Sequence, residues 1–261
     1  MDTTMMHWPM TVQMIMDHGA KVFPDSRVGT FDGESMSYTS YSEIARNAAR
    51  LAASLRSLGI AAGDTVATFS WNNTAHIEAY LGIPSMGAIM HTVNIRLSPE
   101  HIAYIINHAE DKVVLLDASL TELFQPVLPL LKTVEHILVI GEGSIETGID
   151  ALDYRGLLAE HAPREEWPVL DEKSAAAVCY TSGTTGNPKG VVYSHRTTFV
   201  HSLASRATDT FGICERDRIL LLPAMFHANA WGLPYSGWFS GSDFTLPGPN
   251  LQPEGIKRMI T

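Results

Sequence analysis

The sequence has no excess of basic residues: 18 Lys and Arg stand against 28 Asp and Glu, a formal net charge of −10. That balance argues against a basic surface for nucleic acid and against docking on an anionic membrane, and the acidity is read as solubility. Cysteine is scarce. Cys179 and Cys214 make no disulfide framework and point to a reducing compartment. No apolar run approaches the roughly 20 residues needed to span a bilayer; "AYLGIPSMGAIM" is short and broken by Gly and Pro. The N-terminus opens with an acid and has no basic n-region, so no signal peptide is expected. A soluble, cytoplasmic protein follows. What is present is apolar content, 45 % of 261 residues against 18 % charged, enough for a substantial core in one large domain or two.

Strand-like and helix-like segments alternate along the chain. "VGTFDGESMSY" reads as a hairpin turning on Asp32-Gly33. In "SYSEIARNAARLAASLRSLG", Ser40 and Glu43 form a capping box, apolar residues recur at helical spacing, and Gly59 supplies the stop. "DTVATFS" is a buried strand, "NTAHIEAYLGIPSMG" a helix broken near Pro84, and "AIMHTVN" the next strand. Ser98 and Pro99 mark the start of another helix. "KVVLL" and "HILVI" are β-branched runs separated by a helix that Pro126 and Pro129 interrupt. This order predicts an α/β fold with a parallel sheet. Between Gly141 and Lys173 the composition shifts to a linker around one short helix. The expected division is a first α/β subdomain plus linker at 1–167, then the start of a second at 168–261.

The chemistry concentrates in "YTSGTTGNPKGVVYSH", residues 180–195. Gly183 and Lys189 fit two positions of a P-loop, but Pro188 and Gly190 occupy places where that motif needs Gly and a hydroxyl residue. A P-loop also opens into a helix, whereas here "GVVYS" is a second strand-like run. Phosphate binding is still what the residues suit. Gly183, Gly186 and Gly190 let backbone N–H groups converge on an anion. Thr181, Ser182, Thr184 and Thr185 add short hydroxyl donors, and Lys189 adds a mobile charge. The competing reading is a glycine-rich surface hairpin. Downstream, "MFHANAWGLPY" offers His227, Asn229 and Trp231 in an apolar context, with packing as the alternative. His76, His101, His108, His136 and His201 show no metal-ligand spacing and are read as surface or core residues.

"YTSGTTGNPKG" resembles the phosphate-loop signature of the adenylate-forming superfamily, which comprises acyl-CoA synthetases, luciferases and peptide-synthetase adenylation domains. "LPAMFHANAWGLPY" is similar to the next motif of its fatty-acyl-CoA branch. The resemblance implies the large N-terminal domain of these enzymes, two α/β subdomains packed together, with ATP, Mg²⁺ and coenzyme A as cofactors. It implies formation of an acyl-adenylate from a fatty acid or related carboxylate, then transfer to the thiol of coenzyme A. Thr181, Ser182, Gly183, Thr184, Thr185, Gly186 and Lys189 would grip the β- and γ-phosphates, with Thr184 near Mg²⁺. Lys189 would offset the charge of departing pyrophosphate, and His227 would join it at the reacting centre. His227, Asn229 and Trp231 would line the mouth of an acyl tunnel.

The family's adenine-binding segment, ribose-binding aspartate and small C-terminal domain with its adenylation lysine have no counterpart in these 261 residues. The expectation is therefore a truncated ligase, an acid–thiol ligase at full length and inactive as residues 1–261 alone, with self-association left open. Two other readings stand beside it: a non-catalytic module that binds acyl or phosphate groups, and an adenylating enzyme for an aryl acid or a luciferin-like carboxylate.

Overall fold

The computed structural model describes residues 4–5, 7–163, 166–181 and 187–260. Helix α1 (Val12–Val22) precedes a hairpin of β1 (Arg27–Phe31) and β2 (Met36–Ser40). The hairpin was expected to turn on two residues. It turns instead through Asp32–Ser35, because Phe31 pairs with Met36 and the Asp32 carboxylate accepts from the Glu34 and Ser35 N–H groups. Then follow α2 (Tyr41–Ser57), β3 (Thr65–Phe69), α3 (Thr74–Ser85), β4 (Ile89–Thr92), α4 (Pro99–His108) and β5 (Asp111–Asp117). Pro84 does not break α3. It sits in the last turn, and the chain leaves through Gly87 at a φ of 92°. Ser40, Asn73 and Ser98 each cap the following helix, their side chains accepting from the backbone N–H three residues on.

Short helical turns over 118–130, including α5 (Thr121–Phe124), lead to β6 (His136–Ile140). The expected linker carries an edge strand, β7 (Asp150–Asp153), before α6 (Tyr154–Ala159). The remainder runs β8 (Ala175–Tyr180), β9 (Gly190–Ser194), α7 (His195–Ser205), β10 (Arg218–Leu220), α8 (Leu233–Ser240), β11 (Asp243–Leu246) and α9 (Pro253–Ile260).

Among the described residues these strands form two sheets. The larger has the order β7-β6-β5-β3-β4-β8-β9, parallel except for β9; the smaller is β10-β11-β1-β2. Each sheet takes strands from both sides of residue 167, since β4 pairs with β8 and β1 with β11. The boundary expected there does not separate the two sheets. Every residue of β3 is buried, as befits a central parallel strand covered on both faces. Alternate residues supply the two cores: Val66, Val113 and Leu115 face α1, α2, α3 and α8, whereas Ala67, Val114 and Leu116 face α4 and the turns after β5.

In the first core the Trp238 indole stacks on Tyr41 at 3.9 Å, and its Nε1–H donates to the Met16 carbonyl. Gly19 of α1 is required there, because a Cβ would enter the Trp238 ring. Glu78 is wholly buried, yet its carboxylate is met by Arg155 at 3.0 Å, the Tyr154 hydroxyl at 2.7 Å and the Asn47 amide at 2.9 Å. Burial pushes its pKa up and Arg155 opposes that shift, so the carboxylate joins α2, α3 and α6 with both oxygens hydrogen-bonded. Among the described residues no helix is long and apolar enough to cross a membrane.

Candidate active site

Strands β8 and β9 are antiparallel, with Tyr180 opposite Gly190 and Cys179 opposite Val191. The loop between them therefore joins two strands, as its sequence requires, and does not feed a helix. Its neck is closed by Thr181, whose N–H donates to the Lys189 carbonyl at 3.0 Å while its hydroxyl reaches the same oxygen at 3.5 Å. Lys189 is exposed and has no ion-pair partner among the described residues; Pro188 beside it is buried. The five other residues assigned to phosphate binding, Ser182, Gly183, Thr184, Thr185 and Gly186, lie outside the described residues. So does the assignment of Mg²⁺ to Thr184. Among the described residues no group of His, Cys, Asp and Glu is arranged to hold a metal.

The "FHANAW" segment does something its sequence does not announce. Ala228, Asn229, Ala230 and Trp231 have φ of 45°, 49°, 48° and 58°, and Gly232 follows at 72°. This is a left-handed turn, and only Asn and Gly adopt that region readily; each of the other residues costs roughly 1–2 kcal/mol. Helix α8 begins directly after the turn, at Leu233. Surrounding groups hold the turn in place. Thr92 at the end of β4 donates its hydroxyl to the Asn229 Oδ1 at 3.0 Å. The approach to the turn is fixed by Asn72, whose amide donates to the Leu221 and Pro223 carbonyls at 2.8 and 2.9 Å while its oxygen accepts from the Met225 N–H at 2.8 Å. Tyr80 donates to the Met225 carbonyl at 2.6 Å, and Tyr235 donates to the Tyr80 carbonyl at 3.1 Å.

The turn divides two cavities. On one side, Asn229, Trp231, Tyr193, Thr198, His201 and Tyr235 line a space of about 420 Å³ between β9, α7 and α8. On the other, His227, Phe226, Trp71, Asn94 and Arg96 line a cleft of about 360 Å³. Asn229 and Trp231 thus share one cavity, whereas His227 faces the other. Asn229 is buried and already bonded; Trp231 is 60 % exposed and stands at the cavity mouth. Beneath the first cavity, burial raises the Cys179 thiol pKa and pushes the Tyr193 phenol up to about 12, so the 3.7 Å contact joins neutral partners. Arg96 lies over the Phe226 ring at 5.8 Å and puts a cation at the second cleft.

Thr92, Asn72 and Tyr80 were not picked out from the sequence. Thr92 and Tyr80 sit in apolar segments as polar residues, which is the one local sign that a buried group is bonded at a distance.

A family model described as AMP-binding enzyme matches residues 16–261. The chain belongs to that family. It is 46 % identical over 222 residues to a long-chain-fatty-acid–CoA ligase of Thermus thermophilus, covering 85 % of this chain and 40 % of that protein. It is 40 % identical to the 3-methylmercaptopropionyl-CoA ligase of Ruegeria pomeroyi, covering 98 % and 48 %. Over the same spans it is 36 % identical to a medium-chain-fatty-acid–CoA ligase of Ectopseudomonas oleovorans. The chain thus spans about half the length of these relatives. The fold matches a solved anthranilate–CoA ligase bound to anthranoyl-AMP with a TM-score of 0.81 at 22 % identity, covering 94 % of this chain and 46 % of that one.

Proposed function

We propose that the full-length protein is an acid–thiol ligase that uses MgATP to convert a fatty acid or related carboxylate into an acyl-adenylate and passes the acyl group to coenzyme A. The observation that carries this reading is the left-handed turn seated beside the phosphate-loop strands, with a different cavity on each flank. Tyr193 of β9 lines the first cavity, so the strand that returns from the loop also walls the acyl space. A carboxylate whose tail fills that space would point its head toward the loop. The cleft holding His227 and Arg96 suits the approach of the thiol acceptor from the opposite flank.

In this reading the chain contributes position and charge, with no covalent step of its own. Thr181 and the loop residues up to Gly186 hold the β- and γ-phosphates. The Lys189 ammonium neutralises charge that builds on pyrophosphate as the carboxylate attacks the α-phosphorus in line. Trp231 and Asn229 bound the tail, and His227 borders the reacting carbonyl. Residues 1–261 alone, about half the length of the relatives, should not complete the reaction.

The test is ATP–pyrophosphate exchange by the full-length protein across straight-chain acids of increasing length, a thioether acid and an aryl acid, followed by mass spectrometry of CoA thioesters. Each buried methylene contributes about 0.8 kcal/mol, so KM should fall roughly fourfold per carbon until the cavity is full. Absence of exchange with every acid would remove the proposal.

A further inference from the structure

A buried acid–base pair lies beside Tyr180, outside both cavities. His91 of β4 and Asp111 at the start of β5 are both fully buried, with Nδ1 and Oδ2 only 2.6 Å apart. Strand β3 runs between them and presents Ala67 opposite His91, a side chain small enough to let the pair meet across it. The pair is incompletely satisfied: His91 Nε2 and Asp111 Oδ1 have no hydrogen-bond partner among the described residues. A buried polar pair with two unpaired atoms is a poor way to gain stability, and apolar replacements of such pairs often fold as well or better. Stability therefore does not account for these residues.

What His91 touches, besides Asp111, is Tyr180. The His91 and Tyr180 rings are 5.0 Å apart at 49°, and the Tyr180 phenol shares a hydrogen bond of 2.7 Å with Nδ1 of His108, at the C-terminal end of α4. On its other flank the Tyr180 ring covers Gly190, its cross-strand partner, where an added Cβ would stand 3.2 Å from the Tyr180 Cζ. Tyr180 is thus held by His91, by His108 and by the glycine opposite. The next residue is Thr181, which closes the loop neck onto Lys189.

We propose that Asp111, His91, Tyr180 and His108 are positioning residues for the neck of the phosphate loop. They touch no substrate; they fix where Thr181 and Lys189 enter and leave the loop. Asp111 orients the His91 imidazole, that ring and His108 fix the plane and tilt of Tyr180, and Tyr180 fixes the neck. The inference rests on the reading of the loop as the site of MgATP.

The experiment uses Tyr180→Phe, His108→Ala, His108→Gln and His91→Gln in the full-length protein. Two quantities are read: KM for MgATP and for the carboxylate in pyrophosphate exchange, and the Kd for MgATP by calorimetry without carboxylate. Tyr180→Phe removes only a hydroxyl, and His108 is at the surface, so these variants fold even if His91→Gln does not. Expected is a five- to twentyfold rise in KM and Kd for MgATP, a carboxylate KM within twofold of wild type, and recovery in His108→Gln, which keeps a hydrogen-bonding partner for the phenol. Unchanged MgATP constants in Tyr180→Phe and His108→Ala overturn the inference, and so does an equal loss for both substrates. The two readings fail separately. A wild type that binds MgATP but exchanges pyrophosphate with no acid contradicts the proposed reaction, while the calorimetric comparison still decides the role of the cluster.

Discussion

Thr92 and Asn229 stand 137 positions apart and share one buried hydrogen bond of 3.0 Å, which fastens the left-handed turn to the end of β4. Asn229 serves this turn twice, by tolerating a φ of 49° and by supplying the accepting oxygen. The two contributions separate by substitution. Asn229→Gly keeps the backbone freedom and loses only the bond, a destabilisation of about 1 kcal/mol. Asn229→Ala loses both and should cost roughly 2 kcal/mol or more. Thr92→Val leaves the amide oxygen buried without a donor and should fall in the same range of about 1–3 kcal/mol. Denaturant melts of the three variants give the order, and an alanine variant no worse than glycine would contradict the left-handed backbone.

Ala228 occupies the same turn without the advantage of Asn, at a φ of 45°. Ala228→Gly should therefore stabilise the protein by about 0.4–1 kcal/mol, the reverse of the usual effect of glycine. A lower denaturation midpoint for Ala228→Gly would show that the turn relaxes to a right-handed form in solution.

Trp231 separates packing from specificity. With 60 % of its surface exposed, its truncation should change stability by no more than about 0.5 kcal/mol. It nevertheless lines the cavity assigned to the acyl tail. Trp231→Ala is expected to shift the chain-length profile of pyrophosphate exchange while KM for MgATP stays at the wild-type value. A profile that keeps its shape would take Trp231 out of the acyl pocket.

How much of this was readable in the chain depends on how local each cause is. The start of α4 was legible because Ser98 and Pro99 act within one turn, and the strand–loop–strand at 175–194 because Pro188 and Gly190 disqualify a P-loop in place. Strand β7 was missed because "DALD" is a polar edge segment whose pairing depends on β6. The boundary near residue 167 failed to divide the sheets because parallel pairing of β1 with β11 joins segments more than 200 residues apart, which no local pattern encodes. At the site, glycine, hydroxyl and lysine types pointed to a phosphate loop, the role proposed for it here. The left-handed turn stayed hidden, since Ala228, Ala230 and Trp231 have no preference for positive φ and are held there by Thr92 and Asn72. His91 and Asp111 looked like ordinary strand residues.

Lys189 is the next test of the site. Its charge is exposed at the loop neck and has no ion-pair partner among the described residues, so it is available to a ligand. If it acts on charge that develops on departing pyrophosphate, Lys189→Ala should lower the adenylation rate by about a hundredfold in the full-length protein. Carboxylate KM should move little, because the interaction grows only in the transition state. Single-turnover adenylate formation separates rate from binding, and an unchanged rate would free Lys189 of any catalytic role.

Two histidines tie stability to pH. His195, at the head of α7, accepts the Val12 N–H on Nδ1 at 3.2 Å and so anchors the start of α1. His76 donates from Nδ1 to the Trp71 carbonyl at 3.0 Å and meets the Thr68 hydroxyl at 2.9 Å through Nε2. Burial lowers both to about 4, against 6.5 for a free imidazole; for His76 the bond to Trp71 opposes the shift only in part. The folded state therefore excludes a proton that the unfolded chain accepts. Their contribution is fully present above pH 6.5 and is lost progressively as pH falls toward 4, on the order of 3 kcal/mol for each residue. For His195 protonation also consumes the acceptor that α1 uses, so α1 should be an early element to detach. Stability measured by urea denaturation between pH 7 and pH 4 should fall with the uptake of about two protons on unfolding. His76→Gln and His195→Gln, which do not titrate, should each flatten that limb by about one proton. A slope that is the same in wild type and both variants would mean that neither histidine is held neutral in the fold.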